Sequence, residues 1–264
     1  MTRNHSELTA IVVNWNKPDL TIRAVEALVA DGIPPARIVV VDNASPDDSW
    51  ERIRGSLAAS VLVRTSENVG FGRANNLAAR VLPGTSYLLV NNDAFVHRPG
   101  SVAALVAALE DERVGIAVPR LLNEDLSLQR SIAPFTTPTV ALVRASGLSR
   151  VVPNRWQPRL GTHWDHAASR SVEVAVGAVE LVRGALWDAL GGFRETSFMF
   201  AEDLDLCWRT HELGWKTWFV ADAEFIHLHR ASSRTVWDEA TRNERIGRAE
   251  AGMLREHLSP ARAA

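Results

Sequence analysis

The sequence has a single cysteine, Cys207, among its 264 residues, so no disulfide can form within the chain and the composition suits a reducing cytoplasm. It also lacks an excess of basic charge. Its 29 Lys and Arg stand against 31 Asp and Glu, for a net charge of −2. That balance leaves no footprint for a phosphate backbone and argues against a nucleic-acid partner. No apolar run reaches the roughly 18 residues that a membrane-spanning helix needs. The polar opening lacks the basic flank and apolar core of a secretory signal. Internal repeats and low-complexity stretches are absent as well. The chain therefore reads as cytoplasmic, with peripheral contact at the inner face of a membrane left open.

What is present is the composition of a soluble globular protein, 46% hydrophobic and 23% charged, on a chain long enough for one large core. We expect a single domain over 1–264. The first third alternates apolar runs with helical patterns, as β-α-β units around a parallel sheet do. The strands expected are Leu8 to Val13, Ile38 to Val41, Val61 to Arg64, Tyr87 to Val90 and Val114 to Leu121. Between them, helices are expected over Pro18 to Ala30, Asp48 to Leu57 (capped by Ser45 or Asp47), Ala74 to Leu82 and Gly100 to Glu110. The proline-bearing stretch from about Asn123 to Arg170 reads as loop or partial helix. After it come a strand over Val172 to Val182, a helix over Leu186 to Leu190 ended by Gly191-Gly192, a helix over Asp203 to Leu213 stopped by Gly214, a short strand over Lys216 to Val220, and a packed helix within Val236 to Leu258.

Ligands of open parallel sheets sit beyond the carboxyl ends of the strands, which here carry Asn14 to Lys17, Asp42 to Ser45 and Asn91 to Asp93. Two carboxylates and several amides would share one rim. At these residues the chain resembles glycosyltransferase family 2, in its bacterial rhamnosyltransferase-like branch. The segments that carry the resemblance are Ile11-Val12-Val13-Asn14-Trp15-Asn16, Val41-Asp42-Asn43-Ala44-Ser45, Asn68-Val69-Gly70-Phe71-Gly72-Arg73-Ala74-Asn75-Asn76, Leu88-Leu89-Val90-Asn91-Asn92-Asp93, and Gly191-Gly192-Phe193 followed by Phe198-Met199-Phe200-Ala201-Glu202-Asp203-Leu204-Asp205-Leu206-Cys207. Each motif alone is weak, whereas their order and spacing together are specific from about residue 8 to about 233.

The resemblance implies the GT-A fold: a Rossmann-like, mostly parallel central sheet flanked by helices. It divides into a nucleotide-sugar half (about 8–120), an acceptor and catalytic half (about 121–233) and a terminal helix (about 234–258). It implies transfer of one sugar, with inversion, from a nucleotide diphosphate sugar to an acceptor hydroxyl in glycan, cell-wall or natural-product biosynthesis, with a dTDP- or UDP-sugar as donor and rhamnose as the leading candidate. Asp203 takes the part of the catalytic base, assisted by Glu202. Asp42 would accept the pyrimidine ring N–H, the other reading being an Asx-turn with Asn43 and Ser45. Val13, Asn14, Asn16, Gly70, Arg73, Asn75 and Asn92 complete the donor set, and Arg73 could meet phosphate. Asp93 would hold Mg2+ or Mn2+ against the diphosphate, with His227 of Phe225-Ile226-His227 as its helper. His227 could instead be structural, and the acids at 202, 203 and 205 could simply complement a helix dipole.

Trp15 stacks on the donor base or plugs the sheet end, and most of Trp156, Trp164, Trp208, Trp215, Trp218 and Trp237 read as core. Glu180 stands where relatives are apolar, so it faces solvent or an acceptor pocket. The Gln-x-x-Arg-Trp motif and membrane helices of processive synthases are absent, which implies a single transfer. A nucleotidyltransferase would need a glycine-rich basic loop after the first strand, where Asn14-Trp15-Asn16-Lys17-Pro18 stands instead. A catalytically silent sugar-binding or scaffold protein is the rival of another class. The final amphipathic helix could also pair two subunits as a homodimer.

Overall fold

The computed structural model describes residues 7–135, 138–160, 163–195 and 202–228. The helix expected within Val236 to Leu258, Phe198-Met199-Phe200-Ala201 and Trp237 lie outside the described residues. In chain order the elements are β1 (Leu8–Asn14), α1 (Pro18–Ala30), β2 (Ile38–Asp42), α2 (Ser49–Ser56), β3 (Val61–Arg64), α3 (Phe71–Val81), β4 (Ser86–Asn91), β5 (Ala94–Val96), α4 (Ser101–Ala108) and β6 (Val114–Leu122). There follow β7 (Leu128–Gln129), β8 (Ile132–Ala133), α5 (Pro138–Ala145), α6 (Gln157–Leu160), β9 (Arg170–Val172), β10 (Val174–Ala175), β11 (Val179–Arg183), α7 (Gly184–Leu190), α8 (Glu202–Glu212) and β12 (Lys216–His227).

The main sheet runs β3-β2-β1-β4-β11-β6-β12-β5. Its first four strands are parallel, as expected of β-α-β units, and β6 and β12 are parallel to each other. The sheet is nonetheless mixed, because β11 is antiparallel to both β4 and β6, and β5 is antiparallel to β12. β1, β2, β4 and β6 are buried on both faces, which explains why they read as continuous apolar runs. One layer contains Val25 and Leu28 of α1, Ile53 of α2 and Leu105 of α4. The other contains Ala74 and Ala78 of α3, Leu186 and Trp187 of α7, and Leu206 of α8.

Several elements differ from expectation. The strand expected over Val172 to Val182 is three pieces, β9, β10 and β11, broken at a tight turn in which the Ala178 N–H donates to the Val176 carbonyl at 2.9 Å. β12 runs on to His227 because it pairs in succession with β9, β6 and β5. Of the two residues expected to cap α2, Asp47 accepts the Ser49 N–H at 3.1 Å at the start of the helix, whereas Ser45 is drawn into hydrogen bonds at the strand ends. Gly191, Gly192 and Gly214 adopt positive φ of 69°, 75° and 78°, the left-handed backbone that ends helices cheaply only at glycine. Of the tryptophans expected in the core, Trp164 is buried while Trp156 is 45% exposed.

Candidate active site

β1, β2 and β4 end in register, so Asn14 lies beside Asp42 and Val13 beside Asn91. Asp42 is completely buried. Its Oδ1 accepts hydrogen bonds from Asn14 Nδ2 at 2.9 Å and Ser45 Oγ at 2.5 Å. Its Oδ2 is buried without a hydrogen-bond donor, and the Arg64 guanidinium approaches it only to 3.4 Å. One half of the carboxylate is thus anchored and the other has acceptor capacity that the protein does not use. The Asx-turn reading of Asp42 has Ser45 as its partner and accounts for Oδ1 alone.

Asn14 is spent internally. Its Oδ1 accepts from Thr21 Oγ1 at 2.8 Å and from the Lys17 N–H at 3.3 Å, while its Nδ2 also donates to Ser45 Oγ at 3.1 Å. It orients Asp42 and has no group left over for a ligand. Asn92 is buried and donates to Thr21 Oγ1 at 3.3 Å. Asn16 stands at φ 56°, with its N–H on Ser45 Oγ and its Oδ1 buried and without a partner. Asn75 has the same combination, Nδ2 on the Phe71 carbonyl at 2.9 Å and Oδ1 unpartnered. Gly70 takes φ 87° at the entrance to α3, in a loop that Asn43 holds by accepting the Val69 N–H at 3.0 Å.

Arg73 is engaged by Glu195. Its guanidinium donates to the Glu195 carbonyl at 3.0 Å and lies 3.6 Å from the Glu195 carboxylate. Beside it Asn76 bonds both the N–H and the carbonyl of Phe193, each at 2.9 Å, and Gly72 lets Phe193 approach to 3.0 Å from where a Cβ would stand. α3 therefore clamps the turn at Phe193 that follows α7. Asn76 has no role in the sequence reading; a buried amide inside a motif is the signal that could have found it.

Asp93 and His227 face each other, both 5% exposed, with Nε2 3.4 Å from Oδ1. The β5–β12 ladder places them, pairing His227 with Ala94. Gln129 sets the imidazole tautomer. Its Nε2 donates to Asn123 Oδ1 and the His227 carbonyl, so its Oε1 must accept from His227 Nδ1, at 2.7 Å. The His227 Nε2 lone pair is then turned on a carboxylate oxygen, and two acceptors in contact call for a cation or a proton between them. The donor set would fit a divalent ion that takes its other ligands from diphosphate oxygens and water, and Gln129 would then be the partner behind the imidazole. Among the described residues no group of three such protein ligands occurs.

Asp203 lies in the first turn of α8. Its Oδ2 accepts the Gly177 N–H at 3.0 Å and its Oδ1 the Leu204 N–H at 2.8 Å. One residue on, the Ala178 carbonyl accepts the Asn91 N–H at 2.8 Å, so a single hydrogen-bonded path joins the Asn91-Asn92-Asp93 rim to Asp203. Burial raises the Asp203 carboxyl above its ordinary range, against the lowering effect of those two N–H groups. Burial and the neighbouring Asp203 push Glu202 up to about 7, and its Oε2 is buried without a partner. Two acids with displaced affinities for protons at one rim are suited to proton transfer near neutral pH. Asp205, two residues along, belongs to the scaffold: it pairs with Arg209 at 2.6 Å and with Arg194 at 3.4 Å. Cys207 is buried, and burial raises its thiol, so it is inert.

A family model described as Glycosyl transferase family 2 matches residues 9–152, more than half of the chain. The N-acetylglucosaminyl-diphospho-decaprenol L-rhamnosyltransferase of Mycobacterium tuberculosis is 28% identical over 214 residues, covering 75% of this chain and 68% of that protein. A low-salt glycan biosynthesis hexosyltransferase of Haloferax volcanii is 25% identical over 213 residues, 77% of this chain and 61% of its own. Among solved structures, GalNAc-T7 with UDP, GalNAc and Mn2+ superposes with TM-score 0.62 at 16% identity; the match covers 85% of this chain but only 43% of that one. A Pyrobaculum calidifontis mannosyltransferase in complex with GDP-Man and Mn2+ superposes with TM-score 0.59 at 20% identity, over 96% and 70% of the two chains.

Proposed function

The chain belongs to glycosyl transferase family 2, with the GT-A fold and glycosyltransferase activity that membership carries, and on that premise we propose an inverting, single-sugar transfer from a dTDP- or UDP-sugar, rhamnose foremost. The observation that carries the reading is the hydrogen-bonded path from Asp93's rim through Ala178 and Gly177 to Asp203. It supports reading Asp203 as a base that acts near the diphosphate. Asp203 takes the proton of the acceptor hydroxyl as that oxygen forms its bond to the anomeric carbon, on the face opposite the leaving group. The bond from that carbon to the diphosphate oxygen breaks, and the nucleoside diphosphate departs with the electron pair. Asp93 and His227 would hold a divalent cation, which when bound supplies charge compensation for the departing diphosphate. Asp42 Oδ2 accepts the ring N–H of uracil or thymine, oriented by Asn14 and Ser45. The rhamnose assignment draws on the Mycobacterium tuberculosis relative.

Binding of dTDP-rhamnose and UDP-sugars, measured by calorimetry with and without Mn2+, tests the donor side. We expect metal-dependent binding of one donor, weakened about tenfold or more by Asp93→Ala, and by about 1–3 kcal/mol in Asp42→Ala, which removes a charged hydrogen-bond acceptor. Failure of every donor to bind would favour the silent scaffold.

Residues 126–164 contain five arginines and no Asp or Glu. On this cap Leu142, Leu148, Val151 and Trp156 are 69%, 55%, 74% and 45% exposed. Exposed apolar side chains in an arginine-rich segment suit an anionic bilayer surface, at about 1 kcal/mol per arginine that reaches it. Phosphatidylglycerol vesicles should therefore co-sediment the protein and phosphatidylcholine vesicles should not, with Val151→Glu and Arg150→Glu each reducing recovery. Equal recovery with both lipids, or none with either, would remove the membrane from this reading.

A further inference from the structure

Glu180 sits within β11, paired with Leu89 of β4, and is only 1% exposed. Solvent is excluded as what it faces. Its sequence neighbours Val179 and Leu181 join one core layer, while Val182, two residues on, joins the other with Leu89 and Leu206. Alternation along the strand therefore turns Glu180 towards the layer under α8. No hydrogen bond reaches its Oε1.

The N-terminal turn of α8 covers it. Asp203 and Cys207 are four residues apart and share one face of that helix. Between Glu180 and Asp203 stands Gly177. A Cβ on Gly177 would lie 2.8 Å from Asp203 Cβ, 3.6 Å from Asp203 Cγ and 3.5 Å from Glu180 Oε2, so the two carboxyl groups flank one glycine with no side chain between them. The titratable groups that bear on Glu180 are Asp203 and Glu202, with Cys207 beside them on α8. Its sheet neighbours in the same layer, Leu89 of β4 and Ile116 and Val118 of β6, are apolar. Burial first, and then these two acids, push the Glu180 carboxyl well above its ordinary range, which favours its neutral form.

We propose that Glu180 is a positioning residue for sugar transfer, a neutral carboxylic acid whose O–H is donated, directly or through one water, to the Asp203 carboxylate. The arrangement rests on the reading of Asp203 as the base. Four lone-pair directions are available on that carboxylate. Two take the N–H groups of Gly177 and Leu204. Glu180 occupies a third, which leaves one directed at the acceptor hydroxyl. Glu180 keeps its proton throughout, and its O–H holds Asp203 ionised below the pH at which burial alone would protonate it.

The sign of the effect distinguishes this from other roles. Glu180→Met fits the apolar layer and removes the donor, so Asp203 should bind its proton more readily. The acid limb of kcat/KM for dTDP-rhamnose turnover with Mn2+ should then move to higher pH by about one unit, a tenfold loss on the acid side, with donor KM unchanged. Glu180→Gln keeps an N–H donor and should restore the wild-type limb. An unmoved limb in the Met variant would make Glu180 merely structural, and a shift to lower pH would make it an ionised, repelling neighbour; either overturns the proposal. Two readouts need no turnover. Infrared spectra at neutral pH should show a protonated-carboxyl band in the wild type that Glu180→Gln lacks, and 13C NMR should follow the Asp203 midpoint upward in the Met variant. If Asp203→Ala keeps full turnover, the assignment of the base fails, while the infrared and NMR results still decide whether Glu180 and Asp203 are paired.

Discussion

Asp203→Ala should lower turnover of the nucleotide sugar by about 10²–10⁴-fold, the usual worth of a positioned general base, with donor binding retained. The separation is expected because the residues assigned to the donor, Asp42, Asp93 and His227, are held by β2, the turn between β4 and β5, and β12, whereas Asp203 is held by α8 and the turn at Gly177. Calorimetry of the donor beside steady-state turnover reads both quantities. The truncation leaves the Gly177 and Leu204 N–H groups without their acceptor, at a cost of about 1–3 kcal/mol for each that stays buried. A thermal melt must therefore accompany the kinetics. Asp203→Asn is the milder control, since its amide oxygen still serves one of the two N–H groups. Turnover within a few-fold of wild type in a folded Asp203→Ala protein would move the base elsewhere, with Glu202 the next residue to test.

Two residues along the same helix, Asp205→Ala should spare the chemistry and unfold the protein more easily, by about 3–5 kcal/mol, because it leaves a buried guanidinium without its charge partner. Arg209 is 6% exposed, and besides its 2.6 Å bond to Asp205 it donates to the Leu190 and Gly192 carbonyls at 3.1 Å each. Those carbonyls belong to the end of α7 and the glycine turn after it. Loss of Asp205 therefore loosens the junction that carries the chain towards Glu202. Urea unfolding measures the loss, and the double replacement Asp205→Leu with Arg209→Met, which removes both charges, should recover much of it. A loss below 1 kcal/mol in the single variant would mean that Arg194 and solvent compensate Arg209.

Neighbouring acids of one short motif thus divide between chemistry and architecture, a division that residue type alone does not reveal. Glu202, Asp203 and Asp205 are all first-turn acids of α8. Asp205 is assigned to the scaffold by Arg209, which follows one helical turn later at a spacing visible in sequence. Asp203 is distinguished by Gly177, 26 residues earlier on a turn that had read as continuous strand.

The sequence by itself determined the helices and all but one of the strands of the first 120 residues, the short β5 being the exception, together with the helix-ending glycines and the rim where Asp42 and Asp93 stand. Those features depend on local periodicity, backbone preference and the rule that ligands gather at strand ends, all of which are written within a few residues. The tertiary structure alone decided which polar groups at that rim remain available. Asn14 is spent on Thr21, Lys17, Asp42 and Ser45, and Arg73 is engaged by Glu195, 122 residues away. Gln129 orients His227 across 98 residues, and Glu180 is sealed under α8 because β11 enters antiparallel between β4 and β6. A buried polar atom must find its partner wherever the fold brings one, and that pairing is set by strand order and register, which sequence periodicity leaves undetermined.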